Sequence, residues 1–287
     1  MFFPGLRHRS AWFEICTPGP AMKLRVLVAL GVLGCSSQND GPLSWEEFQA
    51  QAYQEPESGI FIVNGDEPVE DEAELRDMYL SFVESYEKAE LPPDVDVSDH
   101  ALIVNRVNGQ DDRWDATTAM NLTYCVSTKF GSRYGDMVSA MASAESAWEA
   151  VARVNFVHDA SKDASCNART TGVVFDVVPT KACQYYARAF FPSDSRRARE
   201  VVVAGCAFGD PVWTVAGILR HELGHTIGFR HEHTRPESGT CFEDNNWRAL
   251  TAYDSDSVMH YPQCNGTQNG DLVLTNLDRT GAGTLYP

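Results

Sequence analysis

The sequence predicts an α+β domain over residues 116–287, with a twisted mixed sheet, a backing helix, a helix that carries the functional side chains, and a closing C-terminal helix. Three observations predict it. Short runs rich in β-branched and aromatic residues alternate with turn residues, as strands do. Two longer segments repeat their apolar residues at helical spacing. The second of these places His221-Glu222-Leu223-Gly224-His225 just ahead of Gly228, a residue suited to end a helix. The 287 residues leave room for such a domain plus a large N-terminal segment, and a hydrophobic fraction of 43% is enough for a core.

In chain order, residues 60–66 read as a strand that ends in a Gly65-Asp66 turn. Residues 70–90 carry Leu75, Met78, Tyr79, Phe82, Val83 and Tyr86 at helical spacings, and Pro92-Pro93 stops that helix. Residues 94–115 read as a connector with one short strand over 101–104. Within the domain, residues 122–126 are the first strand. Residues 136–154 are the backing helix, with Met137, Ala140, Met141, Ala144, Ala147, Trp148 and Val151 as one apolar stripe. Residues 155–157 and 172–178 give two further strands, 186–191 an edge strand, and 200–204 the strand after it. Asp210 is the predicted N-cap of the next helix, with Pro211 in its first turn and Val212, Ala216, Leu219 and Leu223 as its buried stripe. Residues 275–286 read as the closing helix, Thr275 its cap and Asp278 its third position. His158 at a strand end reads as structural, His233 and His260 receive no role, and Glu232 with Arg235 is a candidate ion pair.

On a helix, His221 and His225 stack their imidazoles on one face, within reach of a single metal ion. Glu222 beside them can take a proton from a metal-activated water without being a ligand itself. Gly228 lets the chain turn sharply, so that His231 can return as a third ligand. Three neutral nitrogens leave a fourth position open, the pattern of a catalytic zinc site rather than a structural one. A bare H-E-x-x-H also arises on surface helices. The extension to His231 sets this one apart, as does Ser257-Val258-Met259-His260-Tyr261, which reads as a methionine turn beneath the metal.

These residues resemble the metzincins, and within them the astacin-like branch: residues 221–235 read HELGHTIGFRHEHTR and residues 257–261 read SVMHY. The chain is also similar to the bacterial secreted metallopeptidases named for their HEIGH motif, and stands nearest to those. Residues 187–192 are similar to the edge strand of matrixins. The sequence departs from astacins after Arg235, where Pro236-Glu237-Ser238-Gly239 follows. The resemblance implies a metzincin-like zincin domain and a zinc-dependent endopeptidase. It makes His221, His225 and His231 the zinc ligands, Glu222 the general base and acid, Met259 the Met-turn residue, and Tyr261 a further, switchable ligand that stabilises the oxyanion. Gly65-Asp66 resembles the Gly-Asp of astacin propeptides, whose aspartate takes the zinc's open position. Asp66 is therefore a candidate latency ligand, although the same pair is also a common turn. An unpaired strand edge beside such a cleft suits an extended peptide. The expected partner is thus a peptide or protein substrate, the expected cofactor one zinc ion with calcium left open, and the expected state a monomer. The rival expectation is a catalytically inactive, surface-attached binding protein on the same scaffold.

Residues 1–21 read as an upstream extension and 22–35 as a signal peptide. Met22-Lys23-Leu24-Arg25 is a basic start, and the apolar run that follows is too short to span a bilayer. Val32-Leu33-Gly34-Cys35 resembles a bacterial lipobox, making Cys35 a candidate for lipidation and membrane attachment; ordinary signal cleavage nearby is the alternative. Either route leads out of the cytoplasm, to an outer-membrane lipoprotein or a secreted protein. The formal net charge of −17 is concentrated: residues 40–115 hold 21 acidic and 4 basic residues, residues 116–287 hold 18 and 15. The acidic segment, residues 36–115, is either a solvated spacer or a propeptide lying across the cleft. No basic patch exists to neutralise phosphates, which excludes a general nucleic-acid role. Cys125, Cys166, Cys183, Cys206, Cys241 and Cys264 form an even set, expected to be bridged in an exported domain. Cys241 with Cys264 is the favoured pair, because it would staple the loop between His231 and Met259. No C-x-x-C occurs, which disfavours a cysteine zinc site.

Overall fold

The computed structural model describes residues 41–89 and 102–287. The predicted signal segment with Cys35, the predicted upstream extension and Pro92-Pro93 lie outside the described residues, among which no helix is long and apolar enough to cross a membrane.

The N-terminal segment contains α1 (Trp45–Gln49), β1 (Tyr53–Gln54), β2 (Phe61–Val63), β3 (Glu67–Val69) and α2 (Glu72–Ala89). Its three strands form a small antiparallel sheet in the order β1-β2-β3. Trp45, Phe48, Val63, Val69, Leu75 and Met78 share one apolar cluster that joins the two helices to this sheet. The Asp71 side chain accepts from the Ala73 and Glu74 amides and starts α2.

Residues 102–115, expected to be a connector with one short strand over 101–104, fold as a hairpin whose first strand begins at Ile103. β4 (Ile103–Val107) and β5 (Gln110–Asp111) pair antiparallel across Asn108-Gly109, both at positive φ (52° and 76°), which is the turn chemistry of a tight hairpin. β4 also pairs with β11 (Trp247–Ala249) and bridges to Phe229, so this hairpin packs with the domain that follows.

That domain holds α3 (Ala116–Ala119), β6 (Leu122–Val126), α4 (Tyr134–Glu149), β7 (Phe156–His158), β8 (Phe175–Thr180), β9 (Ala187–Arg188), β10 (Glu200–Ala204), α5 (Val215–Thr226), β11 and α6 (Asn276–Leu285). The main sheet runs β7-β6-β8-β10-β9. Its first four strands are parallel, and β9 is antiparallel at the edge, so the sheet is mixed and the fold α+β as predicted. The edge strand is shorter than the predicted 186–191, because Phe190 turns into the core beside Phe175, their rings 5.5 Å apart. α4 buries Met137, Met141, Ala144 and Trp148 in the core that also contains Leu219 and Leu223 of α5 and Val177, Val201 and Val203 of the sheet. Val202 faces the other way, as strand alternation requires, and packs with Tyr185 and with Ile62 of the N-terminal segment. One face of the sheet therefore rests on α4 and α5, and the edge of the other is covered by the N-terminal hairpin.

α6 begins with Thr275 as cap and Asp278 closing a capping box. The Asp278 carboxylate also accepts from the Ser257 hydroxyl and the Val258 amide, which ties this helix to the methionine turn. Three disulfides join Cys125 to Cys166, Cys183 to Cys206, and Cys241 to Cys264, the last being the favoured pair.

Candidate metal centre

α5 starts later than expected. Thr214, with its hydroxyl accepting from the Gly217 amide, is the N-cap, while Asp210 accepts from the Val212 and Trp213 amides in a separate turn ahead of the helix. The Thr214 amide donates to Gly270, so the chain stays extended through this position and helical geometry begins only after it. Val212 consequently lies outside the helix and is 58% exposed rather than buried.

The helix ends where the spacing demands. Gly228 has φ +96°, its amide donates to His225, and the Phe229 amide donates to Gly224, the paired bonds of a Schellman close. A Cβ on Gly228 would stand 2.1 Å from the Asp112 carbonyl oxygen, so glycine is required by both conformation and space. Gly224 is required by space alone, since a Cβ there would meet Met259 Sδ at 2.4 Å. Met259 thus lies directly against the histidine helix. The same turn supplies the Val258 carbonyl to His221 Nδ1 (2.7 Å) and the Met259 carbonyl to the Glu232 amide (2.9 Å).

The three predicted histidines converge. Ring centroids are 4.9 Å apart for His221 and His225, 5.2 Å for His221 and His231, and 4.7 Å for His225 and His231. Each Nδ1 meets an acceptor: the Val258 carbonyl, the Phe229 carbonyl (2.8 Å), and for His231 the Glu243 carboxylate (2.7 Å). With the proton held on Nδ1, each Nε2 turns a lone pair toward the common centre. Asp66 enters from the N-terminal segment. Its carboxylate is 3.2 Å from His221 Nε2, 3.1 Å from His231 Nε2 and 3.7 Å from His225 Nε2. Four ligand atoms at about 2.0–2.2 Å from one tetrahedral zinc would sit roughly 3.4 Å from each other, so this donor set fits the ion. The buried atoms agree, because Asp66 Oδ1 and His231 Nε2 have no hydrogen-bond partner among the described residues. Burial acts to lower the pKa of all three imidazoles. It prevails at His221 and His225, which favours their neutral, ligating form, while at His231 the charges of Asp66 and Glu243 outweigh it, so that this spot favours a cation, either a proton on His231 Nε2 or a metal ion that takes the proton's place.

Glu222 is fully buried beside this cluster, and both of its carboxylate oxygens lack a hydrogen-bond partner among the described residues. Burial pushes its pKa well above the usual carboxylate range, and the charge of Asp66 adds to the shift. Tyr261 lies over the histidines, 4.5 Å from the His231 ring and 5.4 Å from the His221 ring, and its hydroxyl donates to Asp66. Gly65 permits this approach: it has φ +104°, and a Cβ would stand 2.6 Å from the Tyr261 ring.

Residues that received no role in the sequence complete the surroundings. Glu243 accepts from His231, from Arg230 (2.8 Å) and from His233 (3.2 Å), and Arg230 also reaches Asp244 (2.7 Å). Glu232 and Arg235 do pair, at 3.3 Å, but as a buried bridge. His260 meets the Tyr253 hydroxyl at 2.9 Å. His158 stays away from the cluster and pairs with Asp163 at 3.0 Å, a structural contact. None of the Glu243 contacts had a readable pattern, since its loop carries no motif of its own.

Residues 108–247 match the family described as dual-action HEIGH metallo-peptidase. This stretch, just under half of the chain, is similar to that family. Among curated proteins, this chain is 37% identical over 90 residues to tolloid-like protein 2 of Mus musculus, a match covering 25% of this chain and 9% of that protein. It is also 37% identical over 73 residues to astacin-like metalloprotease toxin 2 of Loxosceles intermedia, covering 19% of this chain and 28% of the toxin. The chain thus spans a small part of the relatives it matches. Among solved structures, it is similar to myroilysin, with a TM-score of 0.45 and 16% identity over 64% of this chain and 98% of that one. A hatching-enzyme zinc protease from Oryzias latipes gives a TM-score of 0.40 and 21% identity over 61% and 94%.

Proposed function

We propose that this protein is a zinc-dependent endopeptidase, exported as a monomer and made with an N-terminal segment that keeps it latent. The observation that carries the reading is the convergence of three Nε2 atoms beside a buried glutamate whose two oxygens have no hydrogen-bond partner among the described residues. Zinc held by His221, His225 and His231 would supply Lewis acidity, polarising a peptide carbonyl and lowering the pKa of water toward about 7.

The chain's own groups do the rest. Glu222, its proton affinity raised by burial, takes the proton of the attacking water and delivers it to the departing amine. The Tyr261 hydroxyl, which now donates to Asp66, is placed to donate to the substrate carbonyl oxygen as negative charge builds on it. Met259 acts as a packed floor that fixes the helix of His221 and the loop of His231 against each other. Asp66 opposes this chemistry twice, by facing the histidines at the position a substrate needs and by engaging Tyr261. That arrangement supports a propeptide role for the acidic segment over a plain spacer. The unpartnered Glu222 favours hydrolysis over the idle binding scaffold. Export, by lipidation at Cys35 or by simple secretion, is supported by the three disulfides.

The test is hydrolysis of a denatured protein by the zinc-loaded chain after limited proteolysis. Cleavage should be blocked by a zinc chelator and absent in Glu222→Ala; cleavage that survives both would end the proposal.

A further inference from the structure

The N-terminal segment fills a second position on the domain besides the histidine cluster. Just after β1, Glu55 enters a pocket at the sheet edge, where its carboxylate accepts from Arg188 Nε (3.0 Å), from Arg188 Nη2 (3.3 Å) and from the Tyr185 hydroxyl. Arg188 is 2% exposed and Tyr185 fully buried, so this is a desolvated fork gripping one carboxylate. A second carboxylate, Glu200, stands 3.9 Å from Arg188 Nη2, beyond hydrogen-bond distance. Arg188 pairs in register with Val202, and its side chain therefore lies on the sheet face that Val202 turns toward the N-terminal segment. It belongs to β9, the antiparallel edge strand, where an extended peptide could add main chain to main chain.

We propose that Tyr185 and Arg188 form a subsite for an acidic side chain of the substrate, an aspartate or glutamate, which Glu55 occupies in the uncleaved chain. The inference rests on the peptidase reading above. Once the segment leaves, the guanidinium loses both of its hydrogen bonds to Glu55, and the Tyr185 hydroxyl loses its acceptor. A carboxylate on a bound peptide restores all of them, whereas a neutral side chain leaves a buried cation without a hydrogen-bonded anion. The pairing of Arg188 with Val202, and the packing of Val202 against Tyr185, belong to the domain itself and hold the two donors side by side for a substrate carboxylate.

Full-length chain is loaded with zinc and activated by limited proteolysis, and the activating protease is inhibited. The ratio of kcat/KM is then measured on peptide pairs that carry Glu or Gln at each position in turn. At one position the Glu peptide should be cut about tenfold or more faster, chiefly through a lower KM. Arg188→Gln should bring that ratio close to one. Tyr185→Phe should narrow it several-fold, and it keeps the charge and the ring in place should Arg188→Gln fail to fold. Cleavage of the peptides with no Glu preference at any position overturns the subsite while leaving the peptidase reading standing. A preference unchanged in both variants overturns its assignment to these residues. No cleavage of any peptide by the zinc-loaded, activated protein overturns the peptidase reading and this inference together.

Discussion

The N-terminal segment and the domain that follows it both send side chains to the histidine cluster, yet they are held there by different forces. Within the domain, His221 and His225 hang from a helix whose Leu219 and Leu223 lie in the main apolar core, with Gly224 pressed on Met259. The segment meets the domain mostly through polar contacts: Asp66 with Tyr261 and the histidines, Glu55 with Arg188, Ser85 with Asn245 and Ser81 with Asn246. Its apolar contribution is small, chiefly Ile62 against Tyr185 and Val202, and Phe82 against Phe242. The groups proposed to bind and react are thus fixed by packing, which tolerates no gap. The cover is fixed by contacts that water or a substrate can replace.

Substitutions on the domain side should have the largest effects. Glu222→Ala should reduce hydrolysis by the activated protein by about 10³-fold or more while zinc content by metal analysis stays at one per chain; a loss of zinc instead would place Glu222 among the ligands. Gly228→Ala should destabilise the domain by about 3 kcal/mol or more in denaturant unfolding, because it adds backbone strain at φ +96° to a clash with Asp112. Glu145, buried beneath the sheet, has its pKa raised by burial to about 7. The folded state then keeps a proton that the unfolded chain has lost, so stability falls as pH rises from about 4.5 to about 7 and levels off above. Glu145→Gln should remove this slope, gaining on the order of 2 kcal/mol at pH 8 and nothing at pH 4, with or without the N-terminal segment.

At the seam the effects are smaller. Glu243→Gln should weaken zinc affinity about 10–100-fold in a chelator competition, because His231 loses the carboxylate that orients it. Asp66→Ala should raise the activity of unprocessed chain about tenfold or more and lower its melting temperature only modestly, because the buried Tyr261 hydroxyl loses its acceptor. A melting temperature that drops sharply would mean that the segment is part of the core rather than a cover.

The parts of this arrangement that were legible in the sequence are those written in local spacing. His221, His225, Gly228 and His231 lie within eleven residues, and helix geometry plus one glycine bend forces their meeting. Thr275 and Asp278 likewise announced the closing helix by a three-residue pattern. Where two local patterns competed, a distant contact decided. Asp210-Pro211 and Thr214 both suit a helix start, and the bond from Thr214 to Gly270 selects the later one. Asn108-Gly109 was a readable hairpin turn, but the strands on either side are too short to show alternation, and the partner strand β11 is some 140 residues away. Glu243 and the pairing of Glu55 with Arg188 had no local pattern at all, since a buried ion pair between remote segments leaves no periodicity in the chain.

The most direct measurement is X-ray absorption at the zinc edge of the zinc-loaded, full-length chain. The expected result is a four-coordinate ion with three imidazole nitrogens and one carboxylate oxygen at about 2.0–2.2 Å, the oxygen replaced by water in Asp66→Ala. A sulfur scatterer at about 2.3 Å, or fewer than three imidazoles, would contradict it.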